Sequence, residues 1–413
     1  MVTPFLPDGE KLAAVRDALP ATAAGIYLNT GAVGPLPAET HRAMNELAEW
    51  ELRVGRSTED YWQELLQRMD EARAGVAAIG GVGPGSIALC HSTTEGLNVA
   101  AWSVDWRPGD RAVTTRFEHG GWLAPLYTLR DRLGVDLAMA DLGDGGDDER
   151  TLAALDAAIV PGTRLVAISQ VAWTTGARLP IVRIVELAHA RGAVVAVDGA
   201  QAFGAIPVDL GALGVDFYAL PAQKWLLGPE GMAALYVAPF ALERASLGFS
   251  GYLSFASHDL IGGSVRQPDA RRFEIAGFHR PSVVGMARSI AWLSMYVGWD
   301  WIHARGVALA RAAADRIGAI PGVVLVTPTE RMANLVSFRI PGWPLDAAFD
   351  EISHRSFAIF RTLPDVDALR ISVGFYNTEA ELERFAEAVE LVAGHTPEGL
   401  PPRRTLTILG EDG

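Results

Sequence analysis

The stretch Val194-Val-Ala-Val-Asp-Gly-Ala-Gln201 is followed by Asp216-Phe-Tyr-Ala-Leu-Pro-Ala-Gln-Lys-Trp-Leu-Leu-Gly-Pro-Glu-Gly231. Asp198 ends a strongly apolar run, where an unpaired carboxylate costs free energy, so it needs a cationic or donor partner. Lys224 follows a second apolar run and precedes three apolar residues. A buried lysine tends to lose its proton and becomes a nucleophile that can form an imine. An ordinary ion pair between Asp198 and Lys224 at the end of a sheet is the alternative that these residues leave open.

The sequence around this stretch alternates short apolar runs with helical patterns, from about residue 86 to 237. Runs rich in Val, Ile and Leu indicate strands that are buried on both faces, as in a mostly parallel sheet. Between them lie helices such as Pro180–Arg191, where Pro180 suits the first turn and Gly192 the C-terminal stop. This alternation predicts an α/β domain. The predicted strands are Ile87–Cys90, Ala112–Thr115, Val135–Met139, Arg164–Ser169, Ala193–Asp198, Phe217–Leu220 and Ala234–Val237.

The pattern of predicted elements changes beyond about residue 270, where longer helices alternate with fewer strands. We predict one long helical stretch over Ser282–Ile317 and a last helix over Thr378–Val392. Shorter elements between them are strands at Val323–Val326, Leu335–Phe338 and Leu369–Ser372, and a helix at Asp346–His354. These elements predict a smaller α+β domain. The predicted organisation is an N-terminal segment that packs with the small domain (1–28), a large domain (29–270), a small domain (271–395) and a tail (396–413).

Composition narrows the classes of function. The net charge of −14 over 413 residues argues against nucleic acid or an anionic membrane as a partner. No apolar run is long enough to span a bilayer, and the proline and acidic residues near the N-terminus do not fit a signal peptide. The nine histidines show no ligand spacing, so no metal site is predicted. Cys90 is the single cysteine, which excludes an internal disulfide and favours a cytoplasmic setting.

Three further motifs carry groups that can bind anions or move protons. Thr93 and Thr94 stand where a strand meets the start of a helix, and helix N-termini bind phosphate, although a simple N-cap would also explain the hydroxyls. His119 could transfer protons, or it could be an ordinary packing or surface residue. Arg370 could grip a carboxylate with two hydrogen bonds, or form a salt bridge.

The order of these motifs resembles the class-V aminotransferase family, which includes cysteine desulfurases and isopenicillin N epimerase-like proteins. The resemblance extends from Tyr27-Leu-Asn-Thr-Gly-Ala-Val-Gly-Pro-Leu-Pro37 to Leu369-Arg-Ile-Ser-Val-Gly-Phe-Tyr-Asn377. It implies pyridoxal 5'-phosphate (PLP) as cofactor, an amino-acid substrate and a homodimer with active sites between the subunits. The implied fold is the PLP-dependent transferase fold type I, with a mostly parallel seven-stranded sheet in the large domain.

The resemblance also implies roles for individual residues. Lys224 would hold the cofactor as a Schiff base and move the Cα proton, and Asp198 would pair with the pyridine nitrogen. His119 would stack on the ring and take part in catalysis with Lys224 and Asp198. The other implied cofactor ligands are Thr93, Thr94, Thr175, Gln201 and Gln223. Arg370 would bind the substrate carboxylate, with Arg361 as a weaker candidate, and Val33 would line the side-chain pocket with the loop at 249–255.

Three departures from the family pattern affect the expected reaction. Pro221 and Phe278 stand where the family often has hydroxyl residues that bind phosphate. The segment 361–370 contains no cysteine, which disfavours a desulfurase that forms a persulfide on its own chain. We therefore expect an enzyme that forms a carbanion at the Cα of an amino acid, as a C–S lyase or an epimerase-like protein. A class-V aminotransferase and a non-catalytic scaffold or binding protein with this fold are the alternatives.

Overall fold

The computed structural model describes residues 6–403, whose core is a seven-stranded sheet. Every strand of this sheet was predicted from the sequence, with bounds that differ by one residue at most. Buried aliphatic side chains fill both faces of the central strands, which is why these runs lack polar alternation. The strands are β1 (Ile26–Tyr27), β2 (Ile87–Cys90), β3 (Arg111–Thr115), β4 (Asp136–Ala140), β5 (Thr163–Ser169), β6 (Val194–Asp198), β7 (Phe217–Pro221), β8 (Ala233–Val237), β9 (Phe255–His258), β10 (Ser264–Arg266), β11 (Val324–Leu325), β12 (Leu335–Arg339), β13 (Ala358–Ile359), β14 (Arg361–Leu363) and β15 (Ala368–Ser372).

The strand order of the large sheet is β2-β8-β7-β6-β5-β3-β4. Only β8 runs antiparallel to its neighbours, so the sheet is mostly parallel, as predicted. Strands β2, β3, β5, β6 and β7 therefore end at one edge of the sheet. In α/β folds, ligands bind outside the carboxyl ends of the strands. The segments that follow these five strands carry most of the residues singled out in the sequence.

Helices cover both faces of this sheet and complete the smaller unit. They are α1 (Asp8–Asp17), α2 (Ala38–Val54), α3 (Glu59–Ile79), α4 (Thr93–Trp102), α5 (Gly120–Leu133), α6 (Asp148–Ala158), α7 (Ile181–His189), α8 (Leu210–Leu213), α9 (Pro239–Leu242), α10 (Arg280–Trp292), α11 (Trp299–Gly318), α12 (Leu345–Ser356) and α13 (Glu379–Ala393). No helix within residues 6–403 is long and apolar enough to cross a membrane. The same residues contain no cluster of three or more His, Cys, Asp or Glu that could hold a metal ion.

The C-terminal elements form a four-stranded antiparallel sheet in the order β11-β12-β15-β14, packed against α11, α12 and α13. The N-terminal segment joins this unit, because β1 pairs in parallel with β13 and the Leu28 carbonyl accepts a hydrogen bond from the Ser372 amide. A salt bridge of 2.7 Å between Arg16 and Glu381 adds a second connection. The domain boundaries named above stay predictions. Parts of the predicted N-terminal segment (1–5) and of the predicted tail (404–413) lie outside the described residues.

The long helix and several short strands differ from the predicted elements. The single helix expected over Ser282–Ile317 is two helices, α10 and α11, separated by a π turn at Leu293–Val297 and by Gly298. Gly298 has φ +92°, a conformation that breaks a helix and that residues with a side chain rarely adopt. The hairpin of β9 and β10 was not predicted, since its strands are short and mostly exposed. Burial gave the strands of the large sheet their sequence signal, and this hairpin lacks it. The strands β1, β13 and β14 were not predicted either, because two or three residues are too few to show a pattern.

Candidate active site

A cavity of about 310 Å³ lies at the carboxyl edge of the large sheet. It is bounded by the ends of five strands, by the loop after β1 and by the small sheet. The structure thus brings together residues from the whole length of the chain. The residues of the predicted site that line it are Val33, Thr93, Thr94, His119, Asp198, Gln201, Gln223, Lys224, Arg361 and Arg370.

Lys224 extends into this cavity from the loop that follows β7. Burial lowers its pKa to about 8, with the Asp198 carboxylate opposing this shift and Arg370 and Arg361 adding to it. A larger fraction of the amine is therefore unprotonated near neutral pH than in an exposed lysine, which favours attack on a carbonyl. The chain has only two lysines, and the other, Lys11, lies on α1 with its ammonium 4.5 Å from the Trp301 ring. Lys224 is consequently the single lysine of the cavity.

Asp198 stands at the end of β6 with its side chain almost fully buried. Its Oδ1 accepts a 2.8 Å hydrogen bond from the Ala200 amide. Burial raises the pKa of Asp198, while Lys224, the Ala200 amide and His119 act in the opposite direction. No salt bridge joins it to Lys224 among the described residues, so the ordinary ion pair that the sequence left open is not formed. The carboxylate instead faces the cavity, where it can accept a hydrogen bond from a bound cationic group.

Two helix N-termini meet at one corner of the cavity. Helix α4 begins at Thr93, with the Ser92 hydroxyl accepting from the Glu95 amide at 3.1 Å. Helix α5 begins after His119, and Gly121 in its first turn lies against α4. A Cβ at Gly121 would come within 2.6 Å of the Thr94 hydroxyl oxygen, so only glycine allows this approach. Backbone N–H groups of first turns lack partners within their helices, and this corner therefore suits a phosphate.

His119 caps α5 through its side chain. Its Nδ1 accepts a 3.1 Å hydrogen bond from the Gly121 amide, and its ring meets the Trp173 ring edge-on at 5.4 Å. Burial is the main cause that lowers the pKa of His119, followed by the charge of Lys224. Because Nδ1 is an acceptor, the neutral ring carries its proton on Nε2. That Nε2–H group remains available to a ligand in the cavity.

Arg370 is fully buried on β15 at the wall formed by the small sheet. One of its amino groups donates to the Trp173 carbonyl at 2.6 Å, while Nε and the other amino group have no partner among residues 6–403. Burial lowers the pKa of Arg370 to about 9, and the nearby Arg361 adds to the shift. A buried guanidinium with two unused donors is costly unless an anion binds it. This pair of donors matches the two oxygens of a carboxylate.

The structure places the remaining parts of the predicted site as follows. Thr175 does not line the cavity; its hydroxyl accepts from the Ala177 amide at 3.3 Å inside the loop. Gln201 does line the cavity, but its amide is already engaged, donating to the Gly31 carbonyl at 2.8 Å and accepting from the Trp225 indole at 3.1 Å. The loop at 249–255 contributes none of the residues that line the cavity. Gln201 therefore has a positioning role as well as the cofactor contact that the resemblance implies.

Sequence reasoning missed two residues beneath the cavity, Glu118 and Ser169. Ser169 lines the cavity and is the register partner of Asp198 between β5 and β6. Glu118 is buried directly behind it and forms hydrogen bonds with its amide and its hydroxyl. The available signal was an acidic residue shortly after the end of the buried strand β3 and immediately before His119. The two predicted departures are also explained: Phe278 is buried and stacks on His91 at 4.4 Å, and Pro221 completes β7.

The residues present fit PLP. The corner of the two helix N-termini suits its phosphate, and Asp198 suits a protonated pyridine nitrogen. The amine of Lys224 suits the formation of an imine with its aldehyde. The unpartnered donors of Arg370 mark a separate place for the carboxylate of a substrate. PLP supplies an electron sink for the carbanion of an amino acid when it is bound.

Comparison with known proteins identifies relatives of this chain. The family model for class-V aminotransferases matches residues 26–385. A protein of Mycolicibacterium paratuberculosis named a probable cysteine desulfurase is 32% identical over 86% of this chain, which spans about half (51%) of that protein. The isopenicillin N epimerase of Streptomyces clavuligerus is 30% identical over 89% of this chain and 95% of its own length.

A solved structure shares the fold of almost the entire chain. It is the complex between a cystine C–S lyase and its reaction product cysteine persulfide, with a TM-score of 0.83 and 25% identity. The match covers 90% of this chain and 99% of the lyase. The predicted fold type I is therefore confirmed. Because the family model covers most of the sequence and the same architecture surrounds the cavity, this chain belongs to the class-V aminotransferase family of PLP-dependent enzymes.

Proposed function

We propose that this enzyme is a C–S lyase that acts on a sulfur-containing amino acid such as cystine or a cysteine derivative. The observation that carries the proposal is the cavity in which Lys224, Asp198 and Arg370 converge without a cysteine. The only cysteine of the chain, Cys90, is fully buried in β2, where burial raises the pKa of its thiol well above the usual range. Sulfur released in the cavity would thus leave with a product instead of passing to a cysteine of the enzyme.

The residues of the chain divide the work as follows. Arg370 binds the α-carboxylate of the substrate and fixes its Cα near Lys224. The amine of Lys224, with its lowered pKa, removes the Cα proton. Asp198 holds the proton on the pyridine nitrogen, and His119 can give a proton to the leaving sulfur from Nε2. Thr93, Thr94 and Gln223 are proposed to hold the phosphate at the corner of the two helices.

An epimerase is the second candidate function. It is supported by the sequence identity of 30% to isopenicillin N epimerase, over 89% of this chain and 95% of the epimerase. The geometry offers two groups that exchange protons, Lys224 and His119, at the same cavity. An epimerase needs both groups at the Cα, whereas a lyase needs the second group at the leaving sulfur. The position of His119 relative to a bound substrate therefore separates the two reactions.

The test is incubation of the purified PLP-loaded enzyme with L-cystine and L-cysteine, followed by assays for pyruvate, sulfide and persulfide. Pyruvate formed in a 1:1 ratio with released sulfur species supports the lyase. In deuterium oxide, recovery of substrate with deuterium at Cα and inverted configuration, without pyruvate, supports the epimerase instead. An amino acid converted to its own keto acid would favour the aminotransferase. A protein that binds no PLP under any condition would favour the scaffold.

We also propose that the enzyme is a homodimer and that it works in the cytoplasm. Support for the dimer comes from the hairpin tip between β9 and β10, where Leu260 is fully exposed and Ile261 is 94% exposed. Two adjacent aliphatic side chains at the tip of a hairpin are suited to burial against another chain. The single buried thiol is consistent with a reducing compartment.

A further inference from the structure

Glu118 is a buried carboxyl group that the proposed reaction does not use. It lies between β3 and α5, directly before His119 in the chain, and its side chain is only 3% exposed. Three donors reach it: the Thr115 hydroxyl at 2.7 Å, the Ser169 hydroxyl at 2.6 Å and the Ser169 amide at 3.2 Å. All three point hydrogens at the carboxyl oxygens, which is the arrangement that suits an ionised group.

The contacts of Glu118 connect it to both sides of the cofactor site. Through Ser169 it touches the strand position that pairs with Asp198. Through the backbone it fixes the start of α5, where His119 accepts the Gly121 amide. A purely structural carboxyl group at this place would cost free energy, because a hydrophobic residue could fill the same space without desolvating a charge. The position therefore points to an electrostatic use.

We propose that Glu118 is a positioning residue of the cofactor site, which holds Ser169 and His119 in place and adds a second negative charge behind Asp198. The inference rests on the binding of PLP at Lys224. The second charge favours the protonated state of the nitrogen that links Lys224 to the cofactor. The same negative charge stabilises the protonated, cationic form of the pyridine nitrogen, so that losing this proton costs more free energy.

A chain of charged groups links Glu118 to the cofactor site. Asp198 is the charged group that faces it from β6, and the mutual repulsion, together with burial as the larger cause, raises the pKa of Glu118 to about 7. Asp198 is in turn faced by Lys224 and His119, while the positive charges of Arg361 and Arg370 act on both of these residues. Burial dominates the raised pKa of Glu118, and the charge of Asp198 adds to it.

The test is a spectrophotometric pH titration of the yellow band of the PLP-loaded protein, comparing wild type with Glu118→Gln. Glutamine can keep the Thr115 and Ser169 contacts but not the charge. We expect the midpoint of the titration in Glu118→Gln to fall by roughly 0.5 pH unit or more, since a nearby anion no longer stabilises the cation. Glu230→Gln is the matched control, because Glu230 is an exposed acid that also lines the cavity.

The control should titrate like the wild type. Ser169→Ala is the second variant; it removes a hydroxyl donor that stabilises the ionised carboxylate of Glu118, so a smaller fraction of Glu118 is charged and we expect a smaller shift in the same direction. A folded Glu118→Gln protein with an unchanged midpoint would overturn the inference, as would shifts of equal size in Glu118→Gln and Glu230→Gln. If Glu118→Gln does not fold, an unchanged midpoint in Ser169→Ala has the same meaning. A wild type without a yellow band contradicts the assignment of Lys224 itself, and this outcome is distinct from the others.

Discussion

Arg361 and Arg370 lie directly opposite each other on the neighbouring antiparallel strands β14 and β15. Like charges in this arrangement destabilise a sheet unless an anion lies between or beside them. Within residues 6–403, Arg370 donates only to the Trp173 carbonyl. The strand pair therefore places two positive charges at the wall of the cavity, and a substrate carboxylate can form hydrogen bonds with the unpartnered donors of Arg370.

Replacing Arg370 should selectively impair substrates that carry a carboxylate. We expect Arg370→Ala to lower kcat/KM for an amino acid by about 100-fold, the equivalent of roughly 3 kcal/mol for a lost charged hydrogen-bond pair. Lysine at this position should restore only part of the loss, because it cannot bind both oxygens in the same plane. Steady-state kinetics with cystine and with its decarboxylated analogue cystamine measure the effect. Equal losses on both compounds would show that Arg370 does not bind the carboxylate.

Lys224→Ala should lose the yellow, borohydride-sensitive band that the wild type forms with PLP. The reason is that Lys224 is the only lysine of the cavity, and the chain offers only Lys11 as another. Lys11→Arg is therefore a complete control and should keep the band. Reduction with borohydride, digestion and mass spectrometry locate the linked residue. A PLP label on Lys11 or on the terminal amine, with Lys224 unlabelled, would contradict the assignment.

Removal of Cys90 should leave catalysis intact. Its thiol is fully buried in β2 and is not among the groups that line the cavity. We expect Cys90→Ala to cost about 1 kcal/mol of stability through lost packing, and to change kcat/KM by less than about twofold. Thermal unfolding and the pyruvate assay measure these two quantities. Loss of turnover with a normal fold, or a persulfide on Cys90 after reaction, would revive the desulfurase mechanism.

Glu118 should make the stability of the cofactor-free protein fall as the pH rises. Its pKa is raised from about 4.5 in the unfolded chain to about 7 in the folded protein, mainly by burial. Between these two values the folded state binds the extra proton, so rising pH favours unfolding by up to about 3 kcal/mol, and the effect levels off above pH of about 7. The difference in unfolding free energy between Glu118→Gln and wild type, measured by urea unfolding from pH 4 to 8, isolates this contribution. A difference that does not change with pH would contradict it.

The hairpin tip should control assembly. Replacing both Leu260 and Ile261 with aspartate places charges where we propose that apolar side chains meet a second chain, and we expect the dimer to dissociate. Sedimentation velocity measures the change, with the stability of the monomer followed by circular dichroism. The exposed Leu52 on α2, changed to aspartate, is a matched control that should leave the mass unchanged. A double variant that sediments like the wild type would place the interface elsewhere.

The sequence predicted the large sheet well because its strands are buried and short, and their ends coincide with polar motifs. Asp198 and Lys224 were identifiable because charged groups beside apolar runs are unusual. Glu118 was missed because the functional interpretation of segment 116–119 was given to His119 alone. The hydrogen bonds of Gln201 to Gly31 and Trp225 join segments that are distant in sequence, so no local pattern could indicate them. The break between α10 and α11 was missed because the apolar pattern continues on both sides of Gly298.

The contact between Leu28 and Ser372 sets a condition on how the protein is made. This hydrogen bond, together with the bridge between Asn29 and Ser372, joins the segment that leads to the cavity loop at Gly31 to β15, which carries Arg370. A ribosome that has produced the large sheet has not yet produced Arg361, Arg370 or the strands that carry them. The emerging chain can therefore fold a sheet with Lys224 in place, yet it cannot offer a complete substrate site. The two arginines can therefore bind a substrate carboxylate together only after β15 has been synthesised and has paired with β14.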